Sequence, residues 1–297
     1  DYMLIFTNFG KVYRIKVHQI PLGSRHARGT ALVNLVPLEK GEHCATVINT
    51  RDFPEDEFLL FGTSHGMIKK TAFSQYKNVR SSGLIAISLK DGDELVAVHK
   101  FRPGYHIVMA SSAGKAIKFD DSNIRAMGRD TSGVRGMKVD IEGGVRVLGM
   151  EIVPEGKDDD LLVITERGYG KRTKLSEYSL QGRGGQGVTT IKMTPRNGNL
   201  VSMMVVPDEH ELIVVSESGM TLRCKASDIS ELGRATQGVK IMNLTDDDRI
   251  TALARVVDPT GGKKATAAIA GQTQMFDTEL SGTFDTSTED EVDEDEE

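Results

Sequence analysis

The feature that most constrains this chain is a pattern of about fifty residues that returns five times. Each copy opens with a short apolar hairpin: residues 4–14 turning at Gly10, 59–70 at Gly66, 107–118 at Gly114, 161–172 at Gly168 and 212–223 at Gly219. Successive turn glycines lie 56, 48, 54 and 51 residues apart. Two apolar runs around a glycine read as antiparallel strands joined by a tight turn. A second glycine follows, nineteen residues after the first at Gly29, Gly133, Gly187 and Gly238, and seventeen after it at Gly83. Beyond it come a β-rich run (30–35, 84–89, 188–193), a polar turn (90–93, 196–199) and a last apolar strand (95–98, 200–206). Breakers rich in Pro, Asp and Gly separate the copies. A unit of four short strands cannot bury its faces alone, so the repeat predicts an all-β, propeller-like ring of four-stranded blades. The expected blades are residues 1–51, 52–101, 102–154, 155–207 and 208–258, with a partial sixth at 263–280 around Gly271. Residues 281–297 are expected to form a disordered acidic tail.

Bases recur in register with the glycines. Four residues after each turn glycine stands Arg14, Lys70, Lys118, Arg172 or Arg223, and in the fourth copy Lys171 precedes the Arg. Four residues before the second glycine stand Arg25, Arg129, Arg183 and Arg234, while Arg80 stands three before Gly83. One charged residue on a strand marks no more than a solvated face. The same position in every blade would be carried to one rim, which predicts a continuous basic band. The net charge of -6 hides this, because the last thirteen residues hold nine acids and no base. Without them 34 acids face 37 bases, a body of about +3. An acidic tail on a cationic body suits a polyanionic partner, with which the tail would compete for the same Arg and Lys residues, or serves solubility alone.

The most biased stretch is Gln181-Gly182-Arg183-Gly184-Gly185-Gln186-Gly187. It has almost no apolar side chain, so it cannot add to a core. It reads either as a flexible surface loop or as backbone that approaches a phosphate closely, with N–H groups and one guanidinium exposed.

These elements together resemble a known family. The heptad, the repeated turn with a base four residues on, and the phrases at 124–136 (IRAMGRDTSGVRG) and 168–173 (GYGKRT) are similar to the C-terminal domain of the A subunit of bacterial DNA gyrase. The similarity runs over residues 1–276. It implies a β-pinwheel of six blades whose basic rim wraps duplex DNA, directing an ATP-dependent type II topoisomerase toward negative supercoiling. The heptad resembles the gyrase box, usually QRRGGKG. Gln181, Arg183, Gly184, Gly185 and Gly187 match it, Gly182 stands for an Arg and Gln186 for the Lys. In the family the box sits on the first blade, so Asp1 corresponds to the start of a second blade and 181–187 to an additional box-like loop. The partners that the resemblance implies are the N-terminal part of the same polypeptide and the gyrase B subunit, in a heterotetramer. It places ATP, Mg and the DNA-cleaving Tyr elsewhere in that enzyme, and the whole in the bacterial cytoplasm at the nucleoid. No cofactor, metal or catalytic residue is expected in this segment.

Other signals are weaker. Residues 182–187 spell GxGxxG, yet a strand-like run broken by Pro195 follows where a dinucleotide site needs a helix. Cys44 and Cys224 belong to no CxxC, and the seven histidines lack metal-ligand spacing. Asn243-Leu244-Thr245 fits a glycosylation acceptor without a secretion signal beside it. No apolar run is long enough to span a bilayer. Low aromatic content argues against single strands or RNA held by stacking. Two rivals remain: the topoisomerase IV counterpart, and a propeller that binds proteins through an apolar or acidic face.

Overall fold

Each turn glycine opens a hairpin, as the repeat predicts. In the computed structural model, which describes residues 1–24, 26–245 and 247–256, the first repeat forms β1 (Tyr2–Thr7), β2 (Lys11–Lys16) and β3 (Cys44–Thr50). The second forms β4 (Phe58–Thr63), β5 (Met67–Ala72), β6 (Leu84–Ile85) and β7 (Leu95–Phe101). The third forms β8 (Tyr105–Ser111), β9 (Lys115–Asp120), β10 (Val134–Arg135) and β11 (Val147–Pro154). The fourth forms β12 (Asp160–Thr165), β13 (Tyr169–Lys174), β14 (Val188–Thr189) and β15 (Leu200–Val206). The fifth forms β16 (Glu211–Ser216), β17 (Thr221–Lys225), β18 (Val239–Lys240) and β19 (Ile250–Val256). A single 3-10 turn follows every hairpin. Arg25, the expected partial sixth blade at 263–280 and the acidic stretch lie outside the described residues.

The strands assemble into five antiparallel sheets, blades I to V, but each repeat does not fill its own blade. The orders are β3-β1-β2-β6, β7-β4-β5-β10, β11-β8-β9-β14, β15-β12-β13-β18 and β19-β16-β17. The outermost strand of blades I to IV therefore comes from the following repeat. This corrects the expectation of self-contained four-strand units. It also corrects the run at 30–35, which holds a 3-10 turn at Leu32–Asn34 rather than a strand. The turn glycines explain the exchange. Gly66 has φ +79°, and a Cβ there would lie 2.2 Å from the Met137 carbonyl oxygen. Gly136 and Met137 N–H groups both donate to Gly66 O, at 2.9 and 3.0 Å. The hairpin tip is thus the dock for the next repeat's arm, and a side chain would block it.

Blades stack face to face, so alternate residues of one strand serve two cores. Leu59 and Phe61 face blade I, where Phe61 meets Phe6 edge to face at 5.7 Å, while Leu60 faces blade III beside Ile107 and Met109. Both faces being covered, β4 and β12 are almost wholly buried. Corresponding cores fill the III/IV and IV/V seams. The outer face of blade I is covered by its own arm, through Ile20, Leu32, Leu35 and Val36. Strands β3, β7, β11, β15 and β19 pack in succession along the axis. The exchanged strands β6, β10, β14 and β18 consequently form the perimeter.

Candidate nucleic-acid interface

The two series of bases go to different places. The series that follows the turn glycines lies on the third strand of each blade, and in four blades it ties that blade to the next repeat. Arg14 Nη1 donates to the Lys77 carbonyl and its guanidinium lies 4.9 Å from the Tyr2 ring centroid. Lys70 is buried, pairs with Asp121 at 2.8 Å and lies over the Phe58 and Phe101 rings. Lys118 Nζ donates to Leu175 O at 2.6 Å, and burial lowers its pKa against the pull of Asp158. Arg172 is buried, donates through Nε to Ile229 O at 2.9 Å, and pairs with Asp160 and Asp208. Tyr76, Asp121, Leu175 and Asp228 mark the turns these bases reach, each on the following repeat. Arg223 is exposed and donates to Glu211 at 2.8 Å. The geometry thus gives Lys70, Lys118 and Arg172 the work of inter-blade latches. Lys171 is fully buried. These four are not on a surface a ligand can reach broadly.

The second series is on the perimeter. After its 3-10 turn, each of the third, fourth and fifth repeats runs parallel to the third strand of the preceding blade: Met127 N–H donates to Lys70 O at 2.8 Å, Gln181 to Lys118 O at 2.9 Å and Leu232 to Arg172 O at 2.8 Å. The chain then bends through an arginine and a left-handed glycine and returns as the exchanged outer strand. At the bend the guanidinium reaches one blade further back. Arg129 Nη1 donates to Ile85 O on β6 at 3.3 Å, Arg183 Nη1 to Arg135 O on β10 at 3.1 Å, and Arg234 Nη1 to Thr189 O on β14 at 3.5 Å. Each seam between blades I and IV therefore carries one arginine in the same register. Arg80 is exposed on the equivalent bend of the second repeat.

The heptad is the version of this bend carried by the fourth repeat. Its backbone is committed to its neighbours: Gly184 N–H donates to Gly136 O at 2.6 Å, and Gly185 O accepts from Lys138 N at 2.8 Å. That corrects the picture of a loop whose glycine N–H groups all point outward. Gly187 has φ +73° and a Cβ there would meet Ala116 O at 2.4 Å, so this glycine serves close packing on β9. Arg183 Nε also donates to Asn123 O at 3.0 Å, so the exposed side chain is held at the seam by two main-chain carbonyls. Gln186 is exposed and accepts from Lys115 Nζ at 3.2 Å. Gly182 is exposed with no neighbour in reach of a Cβ. Arg135 and Lys138, exposed residues of the preceding repeat, flank the heptad. They stand two and five residues after Gly133, and only the strand exchange brings them beside residues 181–187, which is why the repeat pattern did not single them out. Among the described residues no cluster of His, Cys, Asp and Glu could hold a metal ion, and no helix is long and apolar enough to cross a membrane.

Comparison with known proteins adds to this geometry. A family model described as the DNA gyrase C-terminal domain, beta-propeller, matches residues 1–51, 57–102, 105–154, 159–207 and 210–256, one segment for each repeat. The sequences of the gyrase A subunits of Staphylococcus epidermidis and Staphylococcus aureus are 38% identical over 257 residues, 86% of this chain. The chain spans 29% of the length of these relatives. A solved structure of the DNA gyrase A C-terminal domain superposes with a TM-score of 0.73 at 28% identity, covering 86% of this chain and 83% of that one. The crystal structure of the C-terminal domain of DNA topoisomerase IV gives 0.80 at 28% identity, with 86% and 79% covered.

Proposed function

The chain belongs to the DNA gyrase C-terminal domain family, and from that premise we propose that its perimeter binds duplex DNA and bends it around the blades, largely without regard to sequence. The observation that carries this is the recurrence of one guanidinium per seam, Arg129, Arg183 and Arg234, on the side of the blades away from the axis. Contacts of this kind, repeated along a curved edge, meet phosphates at regular intervals and read shape rather than base edges. Bending a few tens of base pairs through about half a turn costs on the order of 10 kcal/mol. Each neutralised phosphate returns roughly 1 kcal/mol near 0.1 M salt, so about ten contacts are required. The three seam arginines, together with the exposed Arg80, Arg125, Arg135, Lys138 and Lys240, come close to that number. At the heptad, Arg135 and Lys138 supply from the neighbouring repeat the positive charge that Gly182 and Gln186 lack.

In the whole enzyme this wrap would set the direction of ATP-driven strand passage toward negative supercoils, in the bacterial cytoplasm. The DNA-cleaving Tyr, ATP and Mg would then belong to the B subunit or to the remainder of the A subunit. This segment alone cleaves nothing. The higher TM-score against topoisomerase IV favours a second reading, in which the perimeter selects and holds a DNA segment without a full wrap. The 38% identity to gyrase sequences favours the first. Sealing nicked circles with ligase in the presence of the chain separates them. A wrap changes the linking number and protects a continuous stretch from nuclease. Unchanged topoisomers with retained binding support the second reading, and no binding at low salt overturns both.

A further inference from the structure

The residue three places after each of the first four turn glycines is the seat on which the next repeat's arginine bend rests. A Cβ on Gly83 would come within 2.6 Å of the Tyr13 ring, one on Gly133 within 3.0 Å of Lys69 Cβ, and one on Gly185 within 3.5 Å of Ile117 Cδ1. Two of these four seats are lysines, Lys69 and Lys171, and both are fully buried. Their ammonium groups donate to main-chain carbonyls of the bends themselves. Lys69 Nζ reaches Gly128 O at 3.3 Å, Arg129 O, and Ala86 O at 2.6 Å; Lys171 Nζ reaches Gly233 O and, at 2.7 Å, Arg234 O. Burying an ammonium is costly. Ile117 occupies the same place in blade III, so the blade architecture accepts an apolar seat. The charge in blades II and IV has no architectural necessity.

We infer that Lys69 and Lys171 are positioning residues for the polyanion that the perimeter binds: by drawing the carbonyls of residues 128–129 and 233–234 inward, they hold the Arg129 and Arg234 side chains outward along their seams. This inference rests on the DNA-binding reading of the seams. The bend over Ile117 has no such pin, and there the glycine-rich heptad is fixed instead by main-chain bonds, Gly184 N–H donating to Gly136 O and Gly185 O accepting from Lys138 N–H. Burial also brings Lys69 down to about 7, with Asp130 opposing and Arg129 adding, and Lys171 down to about 8, with Glu177 opposing and Arg234 adding. Tyr76, whose phenol shares the Ala86 carbonyl, and the Phe61 ring complete the surroundings of Lys69. A phosphate bound at the seam favours the charged lysine, so DNA binding takes up protons and weakens as pH rises.

The test measures duplex affinity of the 297-residue chain against salt for wild type, Lys69→Met, Arg129→Ala and the two combined. If Lys69 acts through Arg129, each single variant weakens binding roughly eightfold at 0.1 M salt and lowers the salt slope by about 0.9. The combined variant is then no weaker than either alone. Wild-type affinity falls several-fold between about pH 6 and 9, and a Lys69→Met, Lys171→Met chain shows a flatter profile. Wild-type affinity in Lys69→Met beside a weakened Arg129→Ala, or full additivity, overturns the inference and leaves the seam reading standing. An unaffected Arg129→Ala overturns the seam reading and this inference with it. Should Lys69→Met fail to fold, Lys69→Gln, which keeps a donor without the charge, and the wild-type pH profile decide; a flat profile overturns it.

Discussion

At the scale of single residues, the molecule separates bases that the sequence presents alike. Arg172 and Arg129 are both recurrent, yet Arg172 neutralises the buried Asp160 and Arg129 lies along a seam. Arg172→Ala should therefore destabilise the fold by about 3 kcal/mol, because it strips a buried carboxylate of a partner. Thermal melting checks this, and the salt slope of binding should change little in whatever fraction remains folded. Arg129→Ala and Arg183→Ala should do the reverse, keeping the melting temperature and each lowering the salt slope by about 0.9. Equal losses from both would make the heptad one seam among several; a larger loss from Arg183→Ala would mark it as the stronger contact. The buried lysines add a pH signature. Lys69 titrates near 7 when folded and near 10.5 when unfolded, so the unfolded chain binds more protons between those values. The penalty for burying its charge is complete below about 7 and fades as pH rises. Relative to Lys69→Met, the wild type should thus gain stability from pH 7 toward 10, seen as a narrowing or reversal of any melting-temperature advantage of the variant. A constant difference would mean that Lys69 keeps its proton throughout.

At the scale of elements, the exchanged strand is the unit that joins the blades. Its dock is the hairpin tip, and the dock is occupied in blades I to IV. In blade V, Gly219 has φ +87° and open space where a Cβ would stand, whereas a Cβ on Gly66 would strike the Met137 carbonyl. Gly66→Ala should cost about 3 kcal/mol, from a disfavoured backbone conformation and a displaced arm together. Gly219→Ala should cost about 1 kcal/mol, from conformation alone. Denaturant unfolding of the two variants measures the difference, and equal costs would show that the docked arm adds nothing to stability.

At the scale of the whole molecule, stability and binding are both distributed. Four of the five cores are shared by two blades, so no repeat is a closed unit, and the seam arginines are spread one to a seam. Affinity for a long duplex should fall steeply with salt, with a slope set by the number of phosphates engaged. Eight to ten contacts give a slope of about -7 to -9. A shallow slope would point instead to a protein partner held through apolar surface. The net charge of the chain gives no guide to this, because the last thirteen residues of the sequence hold nine acids and no base.

The sequence by itself determined the period, the hairpins, the turn glycines and the all-β class, since each of these follows from local chemistry: apolar alternation, and positive φ at a tight turn. It also determined the family, through a resemblance spread over every repeat. Tertiary structure alone decided which strand belongs to which blade and which recurrent base faces water. Gly66 and Gly133 carry a trace of the exchange in their spacing, but nothing local says that the surface pressing on a glycine is the next repeat's backbone. Lys70, Lys171 and Arg172 were indistinguishable from Arg183 in sequence because a charged residue on a strand is ordinarily solvated. Their burial depends on carboxylates and carbonyls, such as Asp121, Asp160 and the Gly233 carbonyl, that come from other strands and from the following repeat.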